Sequence, residues 1–349
     1  MGIAFEKLTP PRFGGEIPEP VSRGPCVLGP GCVIDPPIVL SPMAAVTNPP
    51  FRAICRELGA GMVVTEMVNA VQLANGCQRT LELVDLRPGE RPVGVQLFGC
   101  DPGALAAAAQ VAQELGAASV DLNMGCPMRK IVTSGQGAAL LRQPKLVYEI
   151  FRAMSDAVDI PVTGKTRAGW EQTDAIDIAH AMADAGAAAI TIHGRTRSAM
   201  YDGHVDLAII RELKRAVDIK VIGNGDVCDY VSARRMFAVT GCDAIMVARG
   251  CLGNPWVFRE LAADLRGEPV PQSPTPTEKA QLLANHLALY VETFGEARTC
   301  LEIRKHLLWY FRGTPAEKIL RARMRDMTST THVEEAIAAA MAAEPLPTP

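Results

Sequence analysis

The sequence has no long apolar run, no cysteine pair at metal spacing and no surplus of positive charge, and each absence removes a class of function. Nothing in it approaches the roughly 18 consecutive apolar residues that a membrane-spanning helix needs. Met1 to Pro20 contains no apolar core of the kind that marks a secretory signal, so the cytoplasm is the expected compartment. Ten cysteines run from Cys26 to Cys300 without a CxxC pair or a Cys/His cluster, and Cys26 and Cys32 are the only close pair. Reduced, mostly buried thiols are therefore expected, with no metal and no disulfide framework. A formal net charge of −3 argues against a protein that coats nucleic acid over its whole surface, while leaving room for one basic face.

What the sequence does contain is an internal repeat. Glu57-Leu-Gly-Ala-Gly-Met-Val-Val-Thr-Glu66, Glu114-Leu-Gly-Ala-Ala-Ser-Val-Asp-Leu-Asn123, Asp184-Ala-Gly-Ala-Ala-Ala-Ile-Thr-Ile-His193 and Val239-Thr-Gly-Cys-Asp-Ala-Ile-Met-Val-Ala248 share one form. In each, a glycine able to turn left-handed stops a helix and a short β-rich run follows. Runs of a second form, Pro92–Leu97, Ile160–Lys165 and Ile219–Asn224, alternate with them, and Pro37–Pro42 stands in front, which makes eight strands. Helical spacing fills the gaps, as in Pro102 to Leu115, Pro144 to Val158, Asp174 to Ala185 and Asp229 to Val239. Strands this uniformly apolar must lie in a parallel sheet covered by helices, and eight units predict a closed (β/α)8 TIM barrel. No GxGxxG follows the first strand, which lowers the dinucleotide-binding alternative. The expected layout is a Pro/Gly-rich segment over 1–36, capping the barrel's bottom or lying along its surface, then the barrel over 37–266, a proline-rich linker over 267–277 and an all-helical C-terminal domain over 278–343.

In such a barrel the loops after the strands build the active site. The strand ends are conspicuously polar: Pro42-Met43, Glu66, Gln96, Asn123 with Cys126 just beyond, Lys165 with Arg167, His193, Asn224 and Arg249. Each alone is as readily a loop anchor as a ligand contact, but eight loops converge on one small volume. Asn224-Gly-Asp226 and Ala248-Arg-Gly-Cys-Leu-Gly253 put glycines and an arginine where barrels commonly hold phosphate on main-chain N–H groups. Lys165 and His193 supply cationic or donor groups and Gln96 both donates and accepts, a set that suits an electron-rich heterocycle. Cys126, on a Gly/Pro-shaped turn, reads either as a small buried hydrophobe or as a nucleophile or proton donor.

Ser41-Pro-Met-Ala44, Val95-Gln-Leu97, Asp121-Leu-Asn-Met-Gly-Cys-Pro127, Lys165-Thr-Arg-Ala-Gly-Trp170, Ile192-His-Gly-Arg-Thr-Arg197, Asn224-Gly-Asp226 and Gly253-Asn-Pro-Trp256, in this order, resemble the tRNA-dihydrouridine synthase family from about Ile38 to Trp309. The resemblance implies FMN as cofactor, NADPH as reductant and reduction of the uridine C5=C6 bond in tRNA to 5,6-dihydrouridine. Hydride would pass from reduced FMN N5 to C6 and a proton from Cys126 to C5. By the same resemblance Pro42, Met43 and Ala44 meet the flavin, Gln96, Lys165 and His193 its ring, and Asn224, Gly225, Asp226, Arg249 and Gly250 its phosphate. Asn123, Lys165, Arg167 and His193 would hold the target uracil. The segment Ser134-Gly-Gln-Gly137 and the long front segment depart from the family pattern.

A uridine in folded tRNA has to swing out to reach a barrel mouth, so a second surface must grip RNA backbone. In the helical domain basic residues outnumber acidic ones between 298 and 326, and Arg304, Lys305, Arg312 and Arg321 are the expected RNA contacts. Trp309, Tyr310 and Phe311 are expected in that domain's core instead. No obligate protein partner is evident. Two other readings stay open at this point: an FMN-dependent barrel that reduces a free pyrimidine or other small molecule, and a noncatalytic RNA-binding protein.

Overall fold

The computed structural model describes residues 10–11, 16–20 and 22–343, so much of the expected front segment lies outside the described residues. Eight short strands follow: β1 Ile38–Leu40, β2 Met62–Val64, β3 Val93–Phe98, β4 Ser119–Asn123, β5 Val162–Arg167, β6 Ala189–His193, β7 Lys220–Asn224 and β8 Ala244–Val247. Neighbours pair in parallel, and β8 returns to β1 through Ile245↔Ile38, Met246↔Val39 and Val247↔Leu40, which closes the sheet into the expected barrel. A two-residue strand, Val68–Asn69, pairs with Leu97 and Phe98 and so extends the mouth end of β3.

The repeated glycines do what the sequence predicts. Gly59, Gly116, Gly186 and Gly241 have φ of 107°, 89°, 94° and 68°, left-handed values that end a helix and turn the chain into the next strand. Starts are equally local: the Asn48 side chain accepts from Phe51 N–H, Asp101 from Ala104 N–H, and Asp229 exchanges hydrogen bonds with Ser232 in a capping box. Helix faces carrying Phe51, Ile54, Leu105, Ile150, Phe151 and Phe237 are fully buried against the barrel.

Before β1, Cys26–Gly29 and Cys32–Ile34 form a two-stranded antiparallel ribbon. Cys26, Cys32 and Ile34 pack into one cluster with Met62, Ala189 and Ala244, the first residues of β2, β6 and β8. The ribbon therefore plugs the amino-terminal end of the barrel, the end away from the polar strand termini, while the carbonyls of Glu16 and Pro18 accept from Arg235 and Arg234 on the helix Tyr230–Thr240, so the described parts of the front segment show both expected placements.

The chain divides into two compact units, one running to Gly250 and resuming over Phe258–Val270, the other made of Cys251–Val257 with Pro271 onward. The stretch Cys251–Val257, inside the 37–266 boundary drawn from sequence, joins the second unit because the Trp256 ring packs edge-on against Tyr310, 6.2 Å between centroids. The second unit is helical: Pro276–Tyr310, broken by Gly295, then Pro315–Arg323 and Thr330–Ala342. Tyr310 and Phe311 are buried in it as expected, whereas Trp309 is only half-buried. Among the described residues, no helix is long and apolar enough to cross a membrane.

One buried ion pair ties the helix after β1, Pro49–Glu57, to the segment before β3. Arg52 Nε donates to Glu90 Oε2 at 2.6 Å, and its other nitrogens donate to the carbonyls of Thr47 at 2.9 Å and Asp85 at 2.5 Å. Both side chains are shut off from solvent. Removing one partner leaves the other charge unpaired in the interior, so Arg52→Met is expected to cost about 3–5 kcal/mol. A fall in the urea midpoint followed by circular dichroism checks this; an unchanged midpoint would show that the pair contributes nothing net.

Candidate active site

The side chains at the strand ends meet at the carboxyl-terminal mouth because residues two apart on a strand share a face, and β3, β4 and β5 are in register there. Gln96 pairs with Asp121, Asp121 with Thr163, and Asn123 with Lys165. Gln96 Nε2 donates to Asp121 Oδ2 at 2.7 Å, Asn123 Nδ2 donates to Gln96 Oε1 at 2.9 Å, and Thr163 Oγ1 donates to Asp121 Oδ1 at 2.7 Å. Asn123 Oδ1 accepts the main-chain N–H groups of Cys126 at 2.9 Å and Gly125 at 3.2 Å, which sets the start of the cysteine loop.

The far side of that loop is held by Ala138 N–H, which donates to the Cys126 carbonyl at 3.1 Å. Gly137 makes this approach possible. Its φ is 59°, and a Cβ there would sit 2.9 Å from the Cys126 carbonyl oxygen and 2.8 Å from the Ile131 side chain. The segment that departs from the family pattern in sequence is thus fitted against the cysteine loop.

On the opposite wall Asp226 is the hub. It accepts from Arg195 Nη1 and Nη2 at 2.9 and 2.7 Å, from Val205 N–H at 2.9 Å, and from Arg249 at 3.3 Å. Its carboxylate is spent on protein donors, and it holds Arg195 and Arg249 in place. Asn224 Nδ2 is likewise committed, donating to the Met246 carbonyl at 2.8 Å. Gly225 and Gly250 lie where these loops touch: a Cβ at Gly225 would meet Val205 at 2.6 Å, and one at Gly250 would strike the Val227–Cys228 main chain.

Arg167 spans the mouth, donating to the carbonyls of Gly125 at 2.8 Å, Thr196 at 3.1 Å and Met200 at 2.8 Å. Tyr201 lies between Arg167 and Arg249, whose guanidinium carbons are 5.5 and 4.8 Å from its ring centre. In the first loop the Met43 N–H donates to Thr47 Oγ1 at 3.0 Å and its carbonyl accepts from Thr47 N–H, while the neighbouring Ala45 N–H donates to Glu66. Pro42 and Ala44 flank that turn, and Ala44 is exposed.

Burial and crowding set the protonation states. Lys165 is pushed down to about 8, first by burial and then by Arg167, with Asp121 opposing. His193 falls well below its ordinary value through burial and the surrounding cations Arg167, Lys165, Arg195 and Arg249. It is neutral at pH 7, so the cationic role open to it from sequence is removed and a neutral donor–acceptor remains. Burial raises the Asp121 carboxyl to about 6 against the hydrogen bonds from Gln96 and Thr163. Burial also raises the Cys126 thiol, outweighing a main-chain hydrogen bond from Met128 and the charges of Arg167 and Lys165.

All the barrel residues expected from sequence fall on this mouth. Asp121, Thr163, Arg195, Gly137 and Tyr201 were not singled out. Arg195 was within reach, inside the His-Gly-Arg-Thr run, and Asp121 stands two residues before Asn123 on the same face. Among the described residues no group of three or more His, Cys, Asp or Glu could hold a metal ion.

In the second unit the four expected RNA contacts are all engaged. Arg304 turns inward, its Nη2 donating to the Met327 carbonyl at 2.7 Å. Lys305 pairs with Glu302 at 2.8 Å and the exposed Arg321 with Glu317 at 2.6 Å, and Arg312 is half-buried.

A family profile described as "Dihydrouridine synthase (Dus)" matches residues 39–344. The chain belongs to the dihydrouridine synthase family. Within the family it is 42% identical to tRNA-dihydrouridine synthase B of Pseudomonas aeruginosa over 298 residues, 84% of this chain and 89% of that one. To a probable tRNA-dihydrouridine synthase of Mycobacterium tuberculosis it is 40% identical over 302 residues, 82% of this chain and 77% of that one. Two solved structures share the barrel at 12% identity and TM-scores of 0.54: histamine dehydrogenase from Rhizobium sp. 4-9, over 76% of this chain and 50% of that one, and 2-naphthoyl-CoA reductase, over 70% and 52%. At that identity the likeness is one of fold, and this family member spans about half the length of each.

The thiols offer a direct check on the electrostatics of this mouth. Cys126 is raised, whereas Cys77 is lowered by its hydrogen bonds with Thr80. Thiolate is the species that alkylates. Peptide mass spectrometry after brief iodoacetamide treatment at neutral pH is expected to find Cys77 labelled well before Cys126; the reverse order would show that the cations, and not burial, govern Cys126.

Proposed function

We propose that this chain reduces the C5=C6 bond of uridines in tRNA to 5,6-dihydrouridine, with FMN as resident cofactor and NADPH as the reductant. Family membership supports the reaction class. The observation that carries the chemistry is Cys126, fixed at the mouth by Asn123 and kept as a thiol by burial against the pull of the nearby cations.

The residues present fit a flavin. Lys165, Arg167, Arg195 and Arg249 face only Asp121 and Asp226 among the charges described above, an excess of positive charge suited to a phosphate. Arg249, with the main chain at Gly225 and Gly250, would hold the phosphate, and Asp226 would brace the arginine. Gln96 and Lys165 would meet the ring, with main-chain contacts from Pro42 and Ala44, because Met43 spends both its main-chain groups inside its own turn. FMN, when bound and reduced, supplies hydride to uridine C6.

The chain's own task is the proton. Cys126 Sγ–H is the general acid for C5: below its raised pKa it carries the proton to be delivered, and the nearby charges of Lys165 and Arg167 stabilise the thiolate left behind. Asn123, Arg167 and neutral His193 would hold the uracil edge, with Lys165 reaching the same ring. RNA backbone would be gripped by the second unit through Arg312 and through Lys305 and Arg321, whose ion pairs with Glu302 and Glu317 cost little to exchange for phosphate. Arg304 is better assigned to holding the Met327 turn.

The deciding experiment is nucleoside mass spectrometry of tRNA lacking dihydrouridine after incubation with the protein, FMN and NADPH. Uridine heavier by two hydrogens is expected. Absence of product from flavin-loaded protein would turn the reading toward a small-molecule reductase, and absence of both flavin and product toward a noncatalytic RNA-binding protein.

Cys126→Ala is expected to retain FMN and lose about 10²–10⁴-fold in single-turnover uridine reduction, the ordinary worth of a general acid. Unchanged turnover would remove that role. The pH profile separates Lys165 from Cys126. As pH rises through about 8, Lys165 loses its charge while the raised thiol still holds its proton. Wild-type kcat is expected to fall there, and Lys165→Arg, whose cation does not titrate, is expected to move the fall to higher pH even if its plateau is lower.

A further inference from the structure

Asp121 is buried, has no part in the roles above, and heads a chain of hydrogen bonds that ends at Cys126. The links run from Asp121 Oδ2 to Gln96 Nε2, from Gln96 Oε1 to Asn123 Nδ2, and from Asn123 Oδ1 to the Cys126 N–H, at 2.7, 2.9 and 2.9 Å. The other carboxylate oxygen accepts from Thr163 Oγ1 at 2.7 Å.

A carboxamide is nearly the same shape with its oxygen and nitrogen exchanged, so two adjacent amides can run in either of two directions. The directions are not equivalent here. Reversed, Asn123 would point its NH2 at the Cys126 N–H, donor against donor, and the cysteine loop would lose its anchor. An ionised carboxylate can only accept. With Asp121 at its foot, Gln96 must present Nε2 downward and Oε1 to Asn123, and Asn123 must then present Oδ1 to the loop.

We propose that Asp121 is a positioning residue: as an acceptor-only group it fixes the orientation of the Gln96 and Asn123 amides and, through them, the loop that aims Cys126. The proposal rests on the reading of Cys126 as the general acid. It makes the order of three polar side chains on β3 and β4 a single unit, and it gives Gln96 a second function beside any flavin contact.

The test compares Asp121→Leu, Asp121→Asn and Asp121→Asn/Thr163→Val at pH 7, above the value of about 6 for the wild-type Asp121 carboxyl and below the value of about 8 for Lys165. Leucine removes the acceptor. Asparagine restores it, because its oxygen can face Gln96 while its NH2 donates to the Thr163 hydroxyl, which accepts as well as donates. Valine at 163 takes that partner away, so the foot of the chain no longer chooses the orientation of the introduced amide and only the Cys126 end still does.

Two readouts are taken: kcat and KM for tRNA, and the rate at which iodoacetamide labels the Cys126 peptide relative to the Cys77 peptide. For Asp121→Leu, kcat is expected to fall by roughly ten- to a hundredfold at unchanged KM, the order of loss that misplacing a catalytic group brings. Labelling of Cys126 is expected to rise as the loop loosens, with Cys77 unchanged. Asp121→Asn is expected to recover most of both losses, and adding Thr163→Val to reverse a clear part of that recovery. Should leucine prevent folding, the asparagine variants decide alone, being nearly isosteric with the wild type. An Asp121→Asn protein as impaired as the double variant would overturn the proposal, since charge and not orientation would then matter. So would a double variant whose labelling and kcat match Asp121→Asn. If the wild type itself makes no dihydrouridine, the acid reading of Cys126 fails, and the labelling arms still decide whether Asp121 orders the loop.

Discussion

Positive charge gathered in a place with little water is the constraint on which this mouth is built. Lys165, Arg167, Arg195 and Arg249 are all wholly or largely withdrawn from solvent, and a guanidinium does not shed its proton under any ordinary condition. The groups that can yield are therefore the ones that do. Lys165 drops to about 8 and His193 becomes neutral, each shifted by burial first and by neighbouring cations second. The site keeps its fixed charge on arginines and its adjustable charge on the one lysine.

The two buried carboxylates offset this charge in different ways. Asp226 accepts from two arginines and one main-chain N–H and works as a clamp for cations on the β6–β8 wall. Asp121, against β3 and β5, accepts from an amide and a hydroxyl and is lowered least by Lys165. Losing the Asp226 carboxylate would set Arg195 and Arg249 against each other. Losing Asp121 would remove a charge that supports the Lys165 cation and, with it, the acceptor at the foot of the Gln96–Asn123 hydrogen bonds, a difference that follows from which donors each one meets.

Much of this was legible in the chain and some could not be. The glycines at 59, 116, 186 and 241 announce four helix ends because left-handed φ is a local demand, and the strands after them follow from apolar content alone. Gln96, Asn123, Lys165 and His193 were readable as mouth residues because the end of a barrel strand has a fixed destination. Asp121 was not, since it lies one step deeper and its importance comes from Gln96 and Thr163 on other strands. The Asp226–Arg195 pair joins residues 31 apart in sequence, beyond the reach of any spacing rule. Arg304 shows the limit of counting charges: a tally of basic residues carries no direction, and this one points inward to a carbonyl.

Cys126 shows why these separate placements belong to one design. Before transfer a general acid must hold its proton, which burial favours; after transfer its conjugate base must be tolerated, which nearby cations favour. In this mouth both influences act on the same sulfur, with burial the larger and Arg167 and Lys165 opposing it. A serine hydroxyl in the same surroundings would lie too far from neutrality for the cations to bring it back, whereas a thiol starts close enough for modest opposing effects to matter. The balance depends on distance, and distance depends on the loop: Asn123 at one end, Ala138 and the close-fitting Gly137 at the other. The electrostatics of the cysteine are in that sense set by hydrogen bonds that never touch its sulfur.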